Sequence, residues 1–134
     1  MTTDTTRESV SQLFSSIITP LSCSLQYESQ EIILQKDSLA HRLYERGKIT
    51  EKFNCNYSLN EQYQGRFHNS ALRPVGVNPT GDIRMIELND HPFYLAMLFQ
   101  PQLAPQQNSG HPIIKQFLIS AQSFKNNKRE NKKS

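Results

Sequence analysis

A chain of 134 residues, 36% hydrophobic, 20% charged and 9% aromatic, suits a single domain with one compact core and excludes a generally disordered chain. The net charge of +3 is uneven: Lys125, Lys128, Arg129, Lys132 and Lys133 against Glu130 give the last ten residues +4 and leave −1 elsewhere. Such a run, spaced by Asn and Ser, predicts a solvated, disordered tail, and without a basic face interleaved with aromatics no nucleic-acid partner is expected.

In chain order, Val10, Leu13, Phe14 and Ile17 share one side at helical spacing, which predicts a short amphipathic helix over 5–18 that ends before Pro20. Leu25, Tyr27 and the apolar triplet Ile32, Ile33 and Leu34 predict one or two strands. Asp37 or Ser38 can cap a helix running through Arg46, with Leu39 and Leu43 four apart and Gly47 as its left-handed stop. Residues 49–59 read as a strand through Ile49, Phe53, Tyr57 and Leu59, and Asn60 caps a following helix that carries Tyr63 and Phe67.

Leu72, Val75 and Val77 lead into Asn78-Pro79-Thr80-Gly81-Asp82, a turn whose glycine and proline suit its backbone demands, and Ile83–Leu88 resumes as the second arm of a hairpin. His91-Pro92 breaks the chain before the unbroken apolar run 93–99, which predicts a strand covered on both faces. Residues 100–110 hold two prolines and no periodicity and read as a loop. Pro112 then opens a helix whose stripe is Ile113, Ile114, Phe117, Leu118 and Ala121.

Chemistry-bearing residues are few. Cys23 and Cys55 lack the spacing partners of a zinc site or a disulfide framework, so a reducing compartment is expected. His41 and His68 fall on predicted helices, while His91 and His111 precede prolines in turns; no two are spaced as metal ligands, and all four read as structural. The chain starts without an apolar signal core and its longest apolar run is far short of a membrane span, so a cytoplasmic protein with no membrane contact is expected.

Five segments in register, Asp37-Ser38-Leu39-Ala40-His41-Arg42-Leu43-Tyr44, Tyr57-Ser58-Leu59-Asn60, Ile86-Glu87-Leu88-Asn89-Asp90-His91-Pro92-Phe93, Phe99-Gln100-Pro101-Gln102 and Gly110-His111-Pro112, resemble the CTP synthase family. The similarity covers about residues 34–124 and lies in the C-terminal half of that family's class I glutamine amidotransferase domain. The resemblance implies an α/β fold, a partial flavodoxin-like amidotransferase domain with a strand-rich central region and a C-terminal helix. It also implies a parallel sheet whose other half this chain lacks. The chain then divides into a divergent segment at 1–33, the amidotransferase-like region at 34–124 and the basic tail at 125–134.

Such domains hydrolyse glutamine with a Cys-His-Glu triad, in which a thiolate attacks the amide carbon, an imidazole moves the proton and a carboxylate orients the imidazole. The resemblance places the histidine and glutamate in a Phe-His-Pro-Glu motif, where this chain has Phe99-Gln100-Pro101-Gln102. Neither amide can accept a proton near neutral pH, so Gln100 and Gln102 mark degenerate triad positions. The nucleophile's Gly-x-Cys-x-Gly turn does not occur, and Cys23, within Ser22-Cys23-Ser24, lacks both glycines. Where the family has Arg-His-Arg-His-Arg before a tyrosine, this chain has Lys52-Phe53-Asn54-Cys55-Asn56 before Tyr57, which makes Asn56 and Tyr57 the remnant of a glutamine pocket.

The expected function is therefore a catalytically degenerate amidotransferase-like module that binds a partner protein or a small ligand, with no cofactor and no metal. The alternative is one piece of a CTP synthase completed by another chain. Half a sheet would expose an edge strand and an apolar face, so a homo- or hetero-oligomer is expected, with the 5–18 helix as a candidate cover for the gap.

Overall fold

A computed structural model describes residues 17–68, 70–104 and 110–133. Five strands form one sheet in the order β2-β1-β3-β4-β5: β1 Ile18–Leu34, β2 Lys48–Leu59, β3 Leu72–Val77, β4 Ile83–Leu88 and β5 Leu95–Met97. Three α-helices accompany them, α1 Leu39–Tyr44, α2 Glu61–Phe67 and α3 Pro112–Lys133, with a 3₁₀ turn at Pro101–Leu103. Every strand pairing is antiparallel, where the resemblance implied a parallel sheet. Between β3, β4 and β5 the reason is local: the links 78–82 and 89–94 are too short for the crossover of a dozen residues or more that a parallel return needs.

The helix expected over 5–18 lies outside the described residues except at its end, where Ile18 already starts β1. The strand or strands expected around 25–34 form one long ribbon against β2, with register shifts between Pro20 and Leu25 and between Leu25 and Glu28. Tyr27 takes φ 52° within the second shift, the backbone signature of a bulge. Beyond it the pairing is regular, with Ile32 opposite Ile49 and Gln30 opposite Glu51.

Ser38 caps α1 as read: its hydroxyl donates to the Gln35 carbonyl (2.6 Å) and accepts from the His41 amide (3.0 Å). Glu87 adds a carboxylate at the same helix end, accepting from the Leu39 amide (2.9 Å), a favourable place for negative charge. The stop differs from expectation. Glu45, at φ 56°, takes the left-handed position and its amide bonds to the His41 carbonyl, so α1 ends at Tyr44 and not at Arg46 before Gly47.

The core gathers Ile32, Leu34, Ala40, Ile49, Phe53, Val75, Met85, Phe99 and Ile113, which places α1 and the start of α3 over one face of the sheet. Gly76 is needed here for close approach: a Cβ at that position would lie 3.0 Å from both Ile32 Cγ2 and Met85 Cβ. The opposite face is open at Ile33, which is exposed between buried Ile32 and Leu34.

Two apolar runs behave differently from their sequence reading. Only 95–97 of the run 93–99 is strand; it is an edge strand, and its central residue Ala96 is exposed. The flanking aromatics turn to separate partners, Phe93 to Phe117 and Phe99 to Phe53. On α3, Ile113 alone of the predicted stripe is buried, while Ile114, Phe117 and Leu118 are exposed. The helix also continues through Lys133, so residues 125–133 extend it where the sequence suggested a disordered tail. Among the described residues, no helix is long and apolar enough to cross a membrane.

Candidate functional site

The first half of β2 alternates strictly, with Ile49, Glu51 and Phe53 buried and Lys48 and Thr50 exposed. Strand geometry therefore points a carboxyl group into the core beside two large apolar side chains. Glu51 is only 4% exposed, and a buried carboxyl group must find donors. Two elements supply them: Tyr44 from the last turn of α1 and His111 from the residue before α3.

Glu51 Oε1 accepts from the Tyr44 hydroxyl at 2.6 Å and meets His111 Nε2 at 2.6 Å. The hydroxyl and Nε2 are themselves 3.3 Å apart, and the two rings meet edge to face at 5.7 Å. His111 Nδ1 accepts the Ile113 amide (3.2 Å), so the proton of the neutral ring sits on Nε2 and is donated to Glu51. His111 thereby caps α3 from one nitrogen and binds the strand with the other. His91 makes the same local bond in a turn, its Nδ1 accepting the Phe93 backbone N–H (3.1 Å).

The Tyr44 hydroxyl is pushed far above its ordinary pKa, first by burial, then by its hydrogen bond to Glu51 and the Glu51 charge, so it stays a donor at every physiological pH. Glu51 Oε2 is buried and takes no hydrogen bond. The carboxyl group therefore carries two donors on one oxygen and none on the other. His111 has no free lone pair in this arrangement, which suits it to positioning and not to taking a substrate proton.

This cluster forms the wall of an open cleft of about 470 Å³, within the range of small-molecule sites. Leu43, Ile49, Pro101 and Ile114 give it apolar walls, and Arg46, Thr50 and Gln102 add polar groups. Of the residues singled out from sequence, Gln102 lies in this cleft. Gln100 is not in its lining; its backbone N–H instead donates to the Lys52 carbonyl (3.1 Å), tying the 3₁₀ turn to β2. Asn56 and Tyr57 stand exposed near the far end of β2, where Tyr57 pairs with Pro20, and they line no part of the cleft.

At a strand rise of about 3.3 Å per residue, Tyr57 is roughly 20 Å along β2 from Glu51. Asn56 and Tyr57 therefore lie away from the Glu51 cluster. Cys55 is partly buried on the Tyr57 side, its thiol donating to the Tyr57 carbonyl (2.9 Å), and the Cys23 side chain lies outside what is described. Among the described residues, no three His, Cys, Asp or Glu side chains are grouped to hold a metal ion.

Sequence reading missed Tyr44 and Glu51 as site residues and placed His111 only in a turn. A usable signal exists for Glu51. In Ile49-Thr50-Glu51-Lys52-Phe53 the charged residue falls on the inward phase of an alternating strand, and that phase alone singles it out.

No protein-family model matches the chain. It is 34% identical over 113 residues, 84% of its length, to a CTP synthase of Treponema pallidum. It is 33% identical over 97 residues to one of Cytophaga hutchinsonii and 32% identical over 104 residues to one of Helicobacter pylori. The chain spans about a fifth of the length of these relatives, 20%, 18% and 19% respectively.

Among solved structures, the CTPS glutaminase domain of Trypanosoma brucei with bound acivicin matches with a TM-score of 0.71 at 17% identity, over 80% of this chain and 46% of that one. A putative GMP synthase protein of Thermoplasma acidophilum matches with a TM-score of 0.60 at 13% identity, over 93% and 56%. The fold is thus that of glutamine amidotransferase domains, in part.

Proposed function

We propose that this chain, similar to the CTP synthases over most of its length and sharing the fold of part of their glutaminase domain, is an amidotransferase-like module that binds and does not catalyse. The observation that carries the reading is the pair Gln100 and Gln102, two amides where the family's proton-transferring imidazole and its carboxylate belong. Around them the scaffold persists, with Phe99 packed on Phe53 and Gln102 in the wall of a ligand-sized cleft. A module of this kind keeps a concave surface and works through what it holds, a small ligand or a partner protein.

The test is glutamine hydrolysis. Purified chain mixed with glutamine is expected to release no glutamate above the buffer rate, with no difference between wild type and Cys23→Ala. Turnover that Cys23→Ala abolishes would overturn the reading.

A second reading starts from the relatives, which are CTP synthases: here another polypeptide supplies the nucleophile's elbow and the synthetase domain, and the assembly aminates UTP with glutamine nitrogen. Both readings call for association, since β2 and β5 are sheet edges and Ile33, Tyr57, Phe117 and Leu118 are exposed. Sedimentation at high micromolar concentration is expected to show a homo- or hetero-oligomer, and a clean monomer contradicts this. Glutamine-dependent CTP formation on mixing with the complementary polypeptide would decide for the second reading.

A further inference from the structure

The cleft does more than survive, because its wall holds a buried carboxyl group that is satisfied on one oxygen only. Glu51 Oε1 has two donors, Tyr44 and His111, while Oε2 is buried and has none. A buried acceptor without a donor costs free energy, and a ligand that brings the donor recovers it. Glu51 comes from β2, Tyr44 from α1 and His111 from the start of α3, so three elements fix the position of the carboxyl group. Glu51 is part of the cleft lining, so a donor arriving there meets the carboxyl group where it is already held.

We propose that this cleft is a binding site for a small molecule carrying an amine, amidine or guanidine on an apolar body. The N–H group meets Glu51 through a charge-assisted hydrogen bond, and the apolar body lies against Leu43, Ile49, Pro101 and Ile114. Arg46 is the one side chain in the lining with a fixed positive charge, and it is exposed, where solvent and salt screen its repulsion of a cation. An anionic ligand fits less well, since Glu51 would face it from the wall. The inference rests on the binding reading above and narrows it to a ligand class.

Benzylamine is the probe, with benzoate and benzyl alcohol as matched controls, titrated into ¹⁵N-labelled chain and followed by amide chemical shifts. Saturable shifts at Thr50, Glu51 and His111 are expected with benzylamine and none with benzoate, and Glu51→Gln is expected to weaken benzylamine at least tenfold. Ile114→Lys, at an exposed helix position in the cleft wall, places an ammonium in the cleft and is expected to abolish binding, which settles the matter if Glu51→Gln does not fold. Equal shifts with benzylamine and benzoate, or unchanged benzylamine binding in Ile114→Lys, would overturn the proposal. Glutamate release by the same sample bears on the binding reading alone, so the two can fail separately.

Discussion

The two halves of β2 sit in different surroundings although they belong to one strand. From Ile49 to Phe53 the inward residues are buried, joined to α1 and α3 through Glu51 and to the 3₁₀ turn through the Lys52 carbonyl. Beyond Phe53, Asn54, Asn56 and Tyr57 are exposed, and the pairing with β1 slips between Leu25 and Pro20. The half that the family resemblance marked as a glutamine pocket is, among the described residues, the more exposed half. The other half carries the Tyr44–Glu51–His111 cluster at the α1–β2–α3 junction, where the proposed binding site lies.

That contrast can be broken at its largest effect first. Phe53 is fully buried against Phe99, so Phe53→Ala is expected to cost about 3–5 kcal/mol of stability in denaturant unfolding, and a loss below ~1 kcal/mol would show that this half is not the core. Glu51→Ala strips both Tyr44 and His111 of their acceptor and is expected to cost about 1–3 kcal/mol. Tyr44→Phe removes one hydrogen bond and is expected to cost about 1 kcal/mol at neutral pH.

The Tyr44 effect has a pH signature. Its raised pKa means the folded chain holds the proton more tightly than the unfolded chain does, so the stabilisation is complete below the unfolded value of about 10 and falls as pH rises above it. The gap in Tm between wild type and Tyr44→Phe should therefore narrow above pH ~10; a gap that widens there would contradict the assigned burial. At the exposed end of β2, Asn56→Ala and Tyr57→Ala are expected to change stability by no more than about 0.5 kcal/mol.

What could be read from the sequence was what short segments decide by themselves. Ser38 and Asn60 cap the helices expected of them, and Gly81 takes φ 92° in the turn between β3 and β4. Where neighbours distant in the chain decide, pattern failed. The run 93–99 is continuous in sequence, yet Phe93 serves α3, Phe99 serves the core and only the residues between add an edge to the sheet. The helix stop moved from Gly47 to Glu45 because the Glu45 amide could reach the His41 carbonyl, a geometry that residue type alone does not set.

Of the candidate site, Gln102 was legible through family resemblance, while Glu51 and His111, sixty residues apart, become neighbours only when α3 packs beside β2. Asn56 and Tyr57 lie outside the cleft lining, and a motif records order along a strand and not which part of it lies beside a cleft.

The central claim, a retained scaffold without acyl-transfer chemistry, is tested most directly by intact-mass spectrometry of the chain quenched in acid during incubation with glutamine. The account predicts the unmodified mass at every time point. A glutamyl thioester on Cys23 or Cys55 would contradict it.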